Sequence, residues 1–87
     1  MNANDIKTVK DLHTAILSHP EYEMSLLYNY GRGYLRFWKV SNNTVSALDG
    51  VGNRVAFKLD SDFTFNAANF SMSEEYAMVG GVRTIRL

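Results

Sequence analysis

The chain has 87 residues, nine Lys plus Arg against nine Asp plus Glu, no cysteine and one proline. Its 46% hydrophobic and 13% aromatic content suits one packed core and excludes the disordered class, which is poor in aromatics and carries net charge. Lack of cysteine removes disulfide frameworks, zinc ribbons and thiol nucleophiles; no apolar run approaches the ~18 residues of a membrane span. Met1 to Asp5 carries no basic, apolar signal region, so the expectation is a soluble cytoplasmic protein.

In chain order, Val9, Leu12, Ile16 and Leu17 recur at steps of three and four, which predicts an amphipathic helix. Asn4, Asp5 or Thr8 can cap it, and Thr8 to Asp11 matches the Thr-x-x-acid capping pattern. Pro20 ends it. From Tyr22 the period becomes two: Tyr22, Met24, Leu26, Tyr28 and Tyr30 alternate with Glu23, Ser25, Leu27 and Asn29, predicting a strand. Gly31 to Gly33 reverses the chain. The return strand, Tyr34 to Val40, carries Leu35 and Phe37 on one face and Tyr34, Arg36 and Trp38 on the other.

Ser41 to Asn43 reads as a turn, Thr44 to Leu48 as a short strand, and Asp49 to Asn53 as a glycine-containing connection. Arg54 to Asp60 alternates most cleanly, with Val55, Phe57 and Leu59 opposite Arg54, Ala56 and Lys58. Phe63 and Phe65 continue the alternation. Ser71 to Met78 is expected to hold a helical turn, Gly80 and Gly81 break it, and Val82 to Leu87 forms a terminal strand. With no linker or repeat, residues 1–87 form one α+β domain: an N-terminal amphipathic helix packed on an antiparallel β-meander of about four to six strands.

Charge is unevenly spread. Residues 30–59 hold five bases and one acid, whereas 60–75 hold four acids and no base; cross-strand pairing between the groups is the first expectation. Neither His13 nor His19 sits in a catalytic motif, and both read as structural or solvated. Asp60, Asp62 and Asn66 lack the glycine and distal glutamate of a calcium loop. Glu74 and Glu75 point different ways, and Gly50 to Val55 lacks the third glycine and following helix of a dinucleotide fingerprint. No enzyme, cofactor or metal site is therefore expected.

The informative stretch is Tyr28 to Lys39, where aromatics and bases interleave along a hairpin. Two readings follow. The first is a non-enzymatic protein-interaction module, of the accessory or inhibitor-subunit type, anchored by Tyr34, Arg36 and Trp38, the residue types that dominate interface hot spots; self-association into a homo-oligomer is its natural extension. The alternative is a single-stranded RNA or DNA binder that stacks bases on Tyr30, Tyr34 and Trp38 and holds phosphates with Arg32, Arg36, Lys39 and Lys58. Arg32-Gly33-Tyr34 resembles the Lys/Arg-Gly-aromatic start of the RNA-recognition strand, from which Leu35, Arg36 and Phe37 then depart. Zero net charge and the acids after residue 60 favour the protein partner. Both readings require Tyr34, Arg36 and Trp38 to face away from the core.

Overall fold

The computed structural model describes residues 5–73 and the backbone of one further strand, Thr84–Arg86. Helix α1 (Val9–Ser18) starts at Thr8, whose hydroxyl accepts the Asp11 N–H at 3.1 Å. The Asp11 carboxylate in turn accepts the N–H groups of Thr8 and Lys7, both at 3.1 Å. Of the possible caps, the capping box at Thr8 is the one formed. Val9, Leu12, Ala15 and Ile16 point into the core, while Leu17 stays exposed. His13 is buried beside them: its Nε2–H donates to the Ser41 carbonyl and ties the helix to the first turn of the sheet's far half.

The alternation expected from Tyr22 onward begins later. Pro20–Tyr22 is a single 3-10 turn with Tyr22 buried, and Met24 adopts a left-handed backbone with φ 67°. Pro20 presets the turn's first position, and strand geometry is reached only at Leu26. Strands β1 (Leu26–Tyr30), β2 (Gly33–Val40), β3 (Thr44–Asp49), β4 (Arg54–Lys58), β5 (Phe70–Ser73) and β6 (Thr84–Arg86) form one antiparallel sheet in the order β4-β3-β2-β1-β5-β6. A two-residue reversal joins β1 to β2, with Gly31 at φ 60°, where a side chain would be strained.

β5 takes up Ser71–Ser73, the start of the segment where a helical turn was expected; the rest of that segment, 74–78, lies outside the described residues. The register of β5 on β1 sets Leu26 opposite Met72 and Tyr28 opposite Phe70, so both inward side chains join the core. That long-range burial outweighs the local capping signal of Ser71. Residues 74–83, with Glu74, Glu75, Gly80 and Gly81, lie outside the described residues; the terminal strand is found at Thr84–Arg86.

The core lies between α1 and one face of the sheet. Tyr28 stands against Phe65 and Phe70 with ring centroids 5.0 and 4.9 Å away, and Phe37 is fully buried beside them. The segment after β4 closes this layer: Thr64 bridges to Thr8, the Phe65 N–H donates to the Lys7 carbonyl at 2.8 Å, and the Tyr28 hydroxyl accepts the Asn66 N–H at 2.9 Å. No described helix is long and apolar enough to cross a membrane.

Candidate functional site

Alternation along β2, β3 and β4 sends Leu35, Phe37, Val45, Ala47, Val55 and Phe57 toward α1. The opposite face therefore carries Tyr34, Arg36 and Trp38 from β2, Ser46 and Leu48 from β3, and Arg54, Ala56 and Lys58 from β4. Toward β1 and β5 this second face is closed, since Leu27, Ser71 and Ser73 are all under 9% exposed. It is open over β2 to β4.

A β-bulge shapes the open part. Phe37 pairs with Ala47 and Lys39 with Ser46, so Trp38 is an extra residue on β2. Phe37 and Val40 both pack inward, which leaves Trp38 and Lys39 as consecutive side chains on the second face. Arg54 from β4 lays its guanidinium over the indole, 4.6 Å from the ring centroid, and the Lys39 ammonium lies 5.6 Å from it. The half-buried indole thus lies within cation–π range of both. Among the strand positions of this open face are four bases, Arg36, Lys39, Arg54 and Lys58, and no acid.

Among the described residues, none of Arg32, Lys39, Arg54 and Lys58 makes an ion pair with Asp60 or Asp62; Glu74 and Glu75, the other two acids of the expected cross-strand pairing, lie outside the described residues. Asp60 and Asp62 stand in the turn and loop beyond β4, while Lys39, Arg54 and Lys58 project from the sheet and Arg32 sits in the β1–β2 turn. Asp49 is used by its own turn; the N–H groups of Asn53 and Val51 bond its carboxylate at 2.8 and 3.0 Å. Those bonds, the Asn53 one foremost, hold its pKa below the ordinary carboxylate value.

Arg36 is engaged within the fold. Its Nη1 donates to the Met24 carbonyl at 2.7 Å, and the Met24 N–H donates to the Phe37 carbonyl at 2.7 Å. Neighbouring residues of β2 thereby fix both backbone groups of the left-handed residue. Tyr34 is 38% exposed at the hairpin end, beside Gly50. Arg32, in the turn, shares a shallow hollow with Tyr30, Tyr34 and Val51.

Tyr30, although it borders the hollow with Arg32 and Tyr34, is turned away from Trp38. It follows Tyr28 by two positions, projects on the α1 side at 56% exposure and rests 5.8 Å from Phe63. There it borders an apolar cavity of about 350 Å³ with Leu35, Asp49, Val55, Phe57 and Phe63. The nucleic-acid set is therefore split between two faces of the sheet. Arg54 and Leu48 were absent from the sequence-level candidates; Arg54 was legible as an outward residue of β4, but its seat on Trp38 depends on the bulge and the β3–β4 register.

Among the described residues, no group of three or more His, Asp or Glu side chains gathers to hold a metal. Comparison with protein-family models, with curated proteins and with solved structures found no match.

Proposed function

We propose that the domain is a non-enzymatic protein-recognition module whose contact surface is the open face of β2 to β4, with Trp38 as its anchor. The observation that carries this reading is the bulge, which presents Trp38 and Lys39 together and leaves the indole clamped by Arg54. A held aromatic loses little conformational freedom on binding, and Trp and Arg are the residues most often found at interface hot spots. Tyr34 extends the surface along the strand by roughly 13 Å, four residues of extended chain. Three exposed bases on this face, Lys39, Arg54 and Lys58, favour a partner with an acidic surface.

The same bases favour single-stranded nucleic acid as a second reading. Against it, Tyr30 lies on the other face, Arg36 is bonded to a carbonyl, and cations already occupy positions over the indole. Quantitative affinity purification with the wild type, Trp38→Ala and Arg54→Glu tests the proposal. A partner enriched by the wild type and lost by both folded variants is expected. Unchanged partners in both would overturn it, and steeply salt-dependent quenching of Trp38 by an oligonucleotide would replace it with the second reading.

A further inference from the structure

Among the described residues β4 is the outermost strand, and one of its edges has no neighbour in the sheet. Which backbone groups lie on that edge follows from the ladder. The Asp49 N–H donates to the Asn53 carbonyl and the Leu59 N–H to the Asn43 carbonyl, at 2.9 and 3.1 Å. Hydrogen-bonded pairs alternate along an antiparallel ladder, so the register assigns Val55 and Phe57 to the bonds with β3. The N–H and C=O of Arg54 and Ala56, and the Lys58 N–H, therefore point outward. The Lys58 carbonyl accepts the Ser61 N–H at 2.9 Å, which turns the chain and ends the edge there.

We propose that this edge is a docking site for an extended, acidic segment of a partner protein, added antiparallel as a seventh strand beside β4. The inference rests on the protein-recognition reading above and names the chemistry of its partner. An added strand would bond to Arg54, Ala56 and Lys58, and its residues opposite these three would project on the second face. Arg54 and Lys58 are both exposed there, two positions either side of Ala56; acids opposite them are favoured and bases are rejected. The intervening residues would project on the α1 side against Val55 and Phe57, which are half-buried and form the β4 wall of the apolar cavity. The edge thus selects an alternation of acid, apolar, neutral, apolar, acid.

A second copy of this chain is a poor occupant. Antiparallel self-pairing over the whole strand centres on Ala56 and sets Arg54 opposite Lys58 of the copy, twice, with like charges facing.

The test is amide hydrogen exchange and shift mapping of the full chain, titrated with a capped peptide alternating glutamate and valine and with its lysine counterpart. The glutamate peptide is expected to protect the amides of Arg54, Ala56 and Lys58, and the lysine peptide to leave them unchanged. Ala56→Pro removes one outward N–H and no β3 bond, so it is expected to keep the fold and weaken binding about tenfold. Arg54→Glu with Lys58→Glu is expected to exchange the preference for the lysine peptide. Equal binding of both peptides, no protection, or full binding by Ala56→Pro would overturn the inference. Shifts confined to Trp38 and Tyr34 would overturn the edge and leave the recognition face standing; peptide-independent, concentration-dependent protection would assign the edge to a second copy.

Discussion

Arg36 shows how a residue's type can suggest one role and its geometry supply another. An arginine between two aromatics on an outward strand position reads as a contact residue, but its guanidinium secures the Met24 carbonyl of a left-handed turn. A non-glycine residue with that backbone is disfavoured by roughly 1–2 kcal/mol, so the bonds at both Met24 groups are what make the turn tenable. Arg36→Ala is expected to cost about 1.5–3 kcal/mol, the range for a hydrogen bond from a charged group. Arg36→Lys should recover only part of it, because an ammonium lacks the fixed fork. Urea denaturation of the three proteins checks this; equal midpoints would show that Met24 holds its conformation unaided.

At the scale of elements, legibility followed the range of the interaction. The capping box at α1 and the inward sets Leu35/Phe37 and Val55/Phe57 depend on neighbours a few residues away, and the sequence pattern located them. The extra residue at Trp38 and the β5 strand depend on partners in β3 and β1. Ser71 looks like a helix cap until Phe70 and Met72 find the core. The candidate face was half legible for the same reason: alternation told which residues leave the core, but the register decides that Arg54, rather than Tyr30, completes the surface around Trp38.

The local capping device has an acid signature. The N–H groups of Thr8 and then Lys7 hold the Asp11 carboxyl below its ordinary 3.8. A group lowered in the folded state contributes stability that is fully present above the unfolded pKa and fades as pH falls through the folded one. The wild type should therefore lose part of its stability below pH 3.8, and Asp11→Asn should show a shallower acid limb. Thr8→Ala, which removes the hydroxyl half of the box, is expected to cost about 0.5–2 kcal/mol. Denaturant midpoints measured from pH about 5 to about 2 separate these effects, and parallel acid limbs for wild type and Asp11→Asn would refute the linkage.

For the whole molecule, one sheet separates the core from the face proposed for recognition, and Phe37 and Trp38 sit on either side of it. Phe37 is 0% exposed in the aromatic layer under α1, whereas Trp38 is the bulged residue on the opposite face. A domain of 87 residues has roughly 4–13 kcal/mol of stability. Phe37→Ala, at about 3–5 kcal/mol, would remove much of that and unfold a large fraction of the chain on warming. Trp38→Ala leaves no core cavity and releases Arg54 and Lys39 from the indole, so a cation–π loss of about 0.5–2 kcal/mol is expected. Circular dichroism melts should show a large drop in Tm for the first variant and a small one for the second, with partner binding lost in both. If Trp38→Ala instead matched Phe37→Ala in stability, the indole would belong to the fold's own interior balance, and the open face would lose its anchor.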